Sequence, residues 1–292
     1  MARLPSHDKE GDIPAALRDA AMRGEPDRYI AATLAPAALR SDLVAIAAFA
    51  AEIGRIPASV SEPMLGSIRL QWWRDVLAAA ARDGSRTGHP VADAFARAVR
   101  RRGLDMALVE AMLEARELDL SGGLPSDDEG LWAYLDQTEG NCFRLAVTVA
   151  GLGPEATDPL ARAAGRAYGI ARALGRLPTL YHNGGLPLPA DRLRAAGIDP
   201  DDLATVPPTA EVAQAIAAVA GDLTAHARSH LSEARALARG ISSDAWATLL
   251  PLAMVEPYFR AQRPGPRLDL AANVNPLHRV IRIGLAHATG RF

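Results

Sequence analysis

Asp222, His226 and His230 recur every four residues in an alanine-rich stretch, a spacing that puts one carboxylate and two imidazoles on a single helix face. Such a trio could reach one metal ion, but a closed zinc site needs a fourth ligand, and none stands nearby in the sequence. Packing or hydrogen bonding is the expected role. Cys142 is the sole cysteine, so an internal disulfide is excluded, and with no metal-type companion it is expected to behave as a small buried apolar residue. Arginine is the more promising chemistry. Arg162, Arg166, Arg172 and Arg176 fall within an arc of about 120° on a helix expected over Asp158 to Leu177, opposite Leu160, Ala163, Ala167, Ile170 and Leu174. Such a face is either solvated or turned toward carboxylates or a bound anion. Arg97, Arg100, Arg101 and Arg102, with Arg82 and Arg86 close by, form a second cationic stretch. It reads as a solvated face or as a foothold on anionic lipid headgroups. No Gly-rich phosphate loop, no nucleophile beside its base and no paired-cysteine zinc pattern is present.

Helices must position these residues, because helical periodicity dominates and strand alternation is hard to find. Leu43, Ile46, Ala47, Ala50, Ile53 and Gly54 repeat at helical spacing, as do Leu104, Leu108, Ala111, Met112, Ala115 and Leu118. The pair Ser126 and Glu129 predicts a capping box that opens a helix through Trp132 and Tyr134. Pro57, Pro63, Pro90, Pro125, Pro178 and Pro251 punctuate a series of roughly eight to ten helices. The stretch 208–240 is Ala-rich and is expected to break only at Gly221. Ordered loops are expected at 178–189, containing His182, Asn183, Gly184 and Gly185, and at 263–276. Residues 1–12 are expected to be flexible and 13–292 to form one large all-α bundle, since no linker divides the chain.

Composition supports a large core and little else. Of the 292 residues 49% are hydrophobic and 23% charged, which excludes wholesale disorder. The net charge of -2 gives no field that would demand nucleic acid, and Lys9 is the only lysine. The polar, proline-broken start is not expected to be a signal peptide. Leu43 to Ala51, the longest apolar run, is far below the roughly 18 residues of a spanning helix. A cytoplasmic protein, peripheral to a membrane at most, is the expectation.

Ordered strings along the chain carry a resemblance. Tyr29, Leu34-Ala35-Pro36, Arg40 and Ala45 to Phe49 are followed by Trp73, His89-Pro90-Val91 and Ala94. Gly165, Ala167, Leu188-Pro189, Leu193 and Gly197 come next, then His230-Leu231, Ala234-Arg235 and Leu250-Pro251. Over about nine tenths of its length the chain resembles the squalene/phytoene synthase family. That resemblance implies the isoprenoid-synthase fold and, in members of that type, head-to-head coupling of two prenyl diphosphates. Two Asp-rich motifs there hold magnesium ions that neutralise and help expel diphosphate.

Those motifs are degenerate here. The resemblance puts the first on Gly54-Arg55-Ile56-Pro57-Ala58, where no carboxylate stands. It puts the second on Gly169, Arg172, Arg176 and Leu180, where again none stands and two positions are cationic. Arginines in place of aspartates would repel a divalent cation. Glu52, Arg55, Arg172 and Arg176 are therefore candidates for a cavity ion-pair cluster or an anion site, with Arg176 expected to reach the Glu52 helix. Catalytic residues, bound metal and cofactors are expected to be absent, Mg2+ entering only if the chain were active.

A narrower resemblance follows Phe49 to Ile53, Val60 to Glu62, Gly66, Arg69, Gln71 and Trp73, and then Pro178 to His182 before Leu188-Pro189. These strings resemble a divergent subgroup that contains the mitochondrial assembly factor for respiratory complex I. The implied role is assembly of a respiratory NADH dehydrogenase, with its subunits or other assembly proteins as partners. Two alternatives stay open. One is a head-to-head prenyltransferase with a rewired site; the other is a polyprenyl- or lipid-binding module.

Overall fold

The computed structural model of the chain describes residues 13–122, 125–177, 188–200, 209–261 and 274–292. Among them the regular structure is all helical. In chain order the helices are α1 (Ala15–Gly24), α2 (Pro26–Leu34), α3 (Ala37–Arg55), α4 (Pro63–Asp83), α5 (Pro90–Arg102), α6 (Met106–Leu120), α7 (Asp128–Leu135), α8 (Asn141–Val149) and α9 (Pro154–Gly175). There follow α10 (Ala190–Ala195), α11 (Ala210–Leu237), α12 (Ser243–Leu249), α13 (Val255–Ala261) and α14 (Pro276–Thr289). A π-helical turn, Asp136–Gly140, joins α7 directly to α8, and 3-10 turns occupy Pro57–Ser59 and Leu250–Met254. The chain is cut more finely than expected, because Pro26 and Pro36 each start a new helix near the N-terminus. The N-terminal residues 1–12, most of the two expected loops, and Leu180 lie outside the described residues.

Two helices organise the core. Asp42 through Ala50 of α3 are buried without interruption, as expected of a helix apolar all round, and α3 packs against α1, α2, α5 and α8. Phe49 stacks on Phe95 at 4.1 Å and meets the edge of Trp73 at 5.3 Å, so Trp73 is a core residue. The other helix, α9, lies between α8, the π turn, α11 and α13. Buried apolar side chains from Leu17 to Phe292 join in one continuous core.

Several local expectations need correction. Asp127, not Ser126, caps α7 by accepting from Gly130 N at 2.8 Å, while the Ser126 carbonyl accepts from Asp191 N. A charged acceptor one residue nearer the helix is the stronger cap. Gly221 does not break α11, which runs unbroken over 28 residues. Leu118 is 59% exposed rather than on the buried face of α6. The cationic stretch of α5 is largely engaged. Arg101 and Arg102 both bind the buried carboxylate of Asp42, and Arg100 donates to the Ala80 carbonyl at 3.2 Å. Asp42 sits inside the core helix and requires those partners. No helix among the described residues is long and apolar enough to cross a membrane.

Candidate functional site

The middle of the arginine face of α9, Arg166 and Arg172, is seated rather than solvated, while Arg162 is half exposed. Gly165 and Gly169 lie on it between the arginines. A Cβ on Gly165 would fall 2.5 Å from Gly140 Cα, and one on Gly169 would fall 2.6 Å from Leu135 Cδ2. These glycines therefore let the backbone of α9 touch the π turn. That approach brings Arg166 onto Asp136 in a two-pronged pair at 2.9 and 2.8 Å. It also brings Arg172 Nη1 to Glu139 Oε1 at 3.1 Å.

Glu139 belongs to a closed ring. Arg28 Nη1 binds Glu25 Oε2 at 2.5 Å and Arg28 Nη2 binds Glu139 Oε2 at 2.6 Å. Arg172 Nη1 binds Glu25 Oε1 at 2.6 Å as well as Glu139 Oε1. Two guanidinium groups thus alternate with two carboxylates, and every carboxylate oxygen is taken. The Arg28 guanidinium also lies over the rings of Phe143 and Tyr168 at 5.2 and 4.9 Å. Burial alone would raise the Glu139 carboxyl, but Arg28 and Arg172 overcome it and hold the group down at about 2. Burial by itself lowers the pKa of Arg28 and of Arg172, yet the facing glutamates raise both well above the usual range.

A second polar unit adjoins the ring. Asp27, fully buried, accepts from Tyr168 Oη and Tyr258 Oη at 2.7 Å each and pairs with Arg279 of α14. Tyr168 thus touches both units. A third lies on α6, where Arg116 Nη1 binds Asp119 at 2.9 Å and Tyr134 Oη at 2.6 Å.

The positions singled out by sequence disperse around this centre. Gly54 faces the guanidinium of Arg116, 3.9 Å from where its Cβ would be. Arg55 is exposed and pairs with Glu52 at 2.7 Å, one turn back on its own helix. Ala58 is exposed in a 3-10 turn. Arg176 is the C-cap of α9, and no described residue accepts a hydrogen bond from its side chain. Partial burial, with Arg172 and Arg116 nearby, lowers its pKa. The expected contact between Arg176 and the Glu52 helix is not made, because Glu52 is satisfied locally by Arg55. Among the described residues no hydrogen bond or ion pair links the pair Glu52–Arg55 to Arg172. Sequence reasoning missed Glu25, Arg28 and Glu139. Their signal was the unmatched cations of α9, which required buried carboxylates from somewhere in the chain.

The other candidates resolve into packing. Burial pushes the Cys142 thiol up to about 12, which leaves it no nucleophilic role near neutrality. His226 and His230 flank the Trp132 ring at 5.8 and 5.4 Å, while Asp222 stands 3.8 Å from Arg192. Among the described residues no three His, Cys, Asp or Glu side chains converge as a metal site. Nor do the residues at the centre fit magnesium. That ion needs free carboxylate oxygens, and Glu25 and Glu139 have spent theirs on guanidinium groups. Between α7, α9 and α11, a void lined by Leu131, Leu135, Ile170, Ala173, Leu174 and Leu223 holds about 10 Å³, roughly the room one water needs.

Comparison with known proteins gives this geometry a context. The family model described as squalene/phytoene synthase matches residues 21–274. Relatives named NADH dehydrogenase (ubiquinone) complex I, assembly factor 6, occur in Bos taurus and Homo sapiens. The bovine protein is 28% identical over 234 residues, 80% of this chain and 68% of that protein. The human protein is 26% identical over 234 residues, with the same shares of the two chains. Among solved structures, a dehydrosqualene synthase in complex with ligand superposes with a TM-score of 0.76 at 16% identity, covering 94% of this chain and 95% of that one. Squalene synthase HpnC from Alicyclobacillus acidocaldarius gives 0.64 at 17% identity, covering 97% and 99%. At such identities these structures establish the fold alone.

Proposed function

This chain belongs to the squalene/phytoene synthase family, and from that premise we propose that it is a non-catalytic assembly protein for a respiratory NADH dehydrogenase. The observation that carries the proposal is the closed ring of Glu25, Arg28, Glu139 and Arg172. Prenyl transfer would need a concentration of metal-bound positive charge to draw off diphosphate. The ring instead spends its cations on its own carboxylates, and the degenerate positions Gly54, Arg55, Ala58, Arg172, Arg176 and Leu180 offer no oxygen ligand. Its chemistry is that of a clamp between α2, the π turn and α9. The names borne by the bovine and human relatives supply the client class. On this reading the chain works in the cytoplasm, peripheral to the inner membrane, with subunits or assembly proteins of that enzyme as partners and with no metal or organic cofactor.

Deletion in the native host tests it. Membranes from the deleted strain should show less assembled NADH dehydrogenase on native gels and less NADH:quinone activity, both restored by the gene in trans. Unchanged assembly, together with loss of a carotenoid- or squalene-type product, would overturn the proposal in favour of a prenyltransferase.

A further inference from the structure

The last helix is amphipathic in the inverted sense. Its charged residue Arg279 points inward to Asp27, alongside the buried Ile283 and Ala286. Its outward side carries Leu277, Val280, Ile281 and Leu285, which are 66%, 51%, 50% and 53% exposed. With Gly284 and Ala288 these residues fill an arc of about 140° that no polar side chain interrupts. His278 and Arg282 border the arc on one side and His287 on the other, and exposed Arg291 follows the helix. From residue 274 to the end the chain contains no Asp or Glu.

We propose that the outer face of α14 is a membrane-docking surface that lies flat on an anionic bilayer. Aliphatic residues on one face, Arg282 at its edge, Arg291 just beyond and no Asp or Glu are the chemistry of an interfacial helix. Fourteen residues span about 21 Å, enough to lie in the headgroup plane and too short to cross the hydrocarbon. A second copy of the chain fits the charge less well, because a two-fold contact would put Arg282 and Arg291 of both copies at one interface that has no Asp or Glu from this segment to pair them. The arginines of α5 are tied down more fully, Arg101 and Arg102 to the buried Asp42 carboxylate and Arg100 to the Ala80 carbonyl, whereas Arg282 donates Nε to the Ala253 carbonyl at 3.3 Å and stays half-buried. This inference gives a surface to the peripheral location proposed above and rests on that location, but not on the assembly role. Lipid binding by the purified protein and loss of NADH dehydrogenase in a deletion strain can fail separately.

Flotation of the full chain tests it, using vesicles of phosphatidylcholine alone or mixed with phosphatidylglycerol. The native protein should float with the mixed vesicles, and recovery should fall when salt is raised. The double variant Ile281→Ser, Leu285→Ser should lose about tenfold or more of that recovery while keeping the native circular dichroism. Ile281→Thr alone serves as a milder change, with a smaller loss. The control Met64→Ser, Ile68→Ser, on the exposed apolar side of α4, should float like the native protein. The proposal is overturned if the native chain floats with neither vesicle, or if the α14 variants float undiminished. It is overturned equally if the α4 control abolishes flotation, or if light scattering shows a dimer that the α14 variants dissolve.

Discussion

Arg172 makes three contacts at the centre of the molecule, to Glu25, Glu139 and the Gly24 carbonyl. Replacing it with alanine would leave two buried carboxylates to share Arg28. Removing one partner of a buried ion pair is far more damaging than the pair's net worth, because the remaining charge stays desolvated. Arg172→Ala is expected to cost about 3 kcal/mol or more in urea denaturation. Arg55→Ala, which breaks an i,i+3 pair whose arginine is 64% exposed, should cost under about 0.5 kcal/mol. Equal losses would mean that the ring does not hold the fold. Acid should act through the same ring. Glu139 lies at about 2 when folded against a usual 4.5, so its contribution is complete above about pH 4.5 and is lost as pH falls toward 2. Thermal melts should drop steeply across that interval, and Glu139→Gln should flatten the dependence from a lower starting stability. A variant whose melting point falls as steeply as that of the native protein would assign the acid sensitivity elsewhere. The arginines were legible in the sequence because they share one helix face. Their partners were not, since Glu25 and Glu139 stand 147 and 33 residues from Arg172 and no local pattern connects such distances.

Among the elements, the π turn and α9 form the tightest joint. Gly165 would place a methyl against the backbone of Gly140, where no side chain can rotate away. Gly165→Ala must therefore part the helices and loosen the Arg166–Asp136 pair, at a cost of about 2 kcal/mol or more. Gly221 of α11 has open space where its Cβ would be, and it is exposed in a helix interior. Gly221→Ala should stabilise by up to about 1 kcal/mol. Thermal unfolding of the two variants separates these effects, and a neutral Gly165→Ala would show that the close approach is not required. Helix existence was readable from apolar spacing in α3, α6 and α9. The joint was not readable, because Asp136 to Gly140 carries no compositional mark of a π turn and periodicity cannot distinguish it from the helices on either side.

For the whole molecule, the ordered strings from Tyr29 to Pro251 foretold an isoprenoid-synthase-like bundle, since the resemblance depends on core and turn residues that are spread along the chain. What the strings could not convey is how the centre is filled. The lack of carboxylates at Gly54 and Arg172 is visible in the sequence, whereas the internal salt ring emerges only when Arg28 and Glu139 are seen together. The ring has a thermodynamic consequence. A ligand that binds only the folded protein raises stability by RT ln(1 + [L]/Kd), about 2.7 kcal/mol at a hundredfold excess over Kd. Magnesium would have to displace a guanidinium from Glu25 or Glu139 to gain an oxygen, and a bare diphosphate would have to displace a carboxylate from Arg28 or Arg172. Each exchange leaves a buried charge without its partner. Magnesium with farnesyl diphosphate should therefore leave the melting temperature where an ionic-strength-matched salt leaves it, and prolonged incubation should yield no squalene- or phytoene-type product. A dose-dependent rise of several degrees that requires both metal and diphosphate would show that the ring opens to substrate, and would return the chain to the catalytic members of its family.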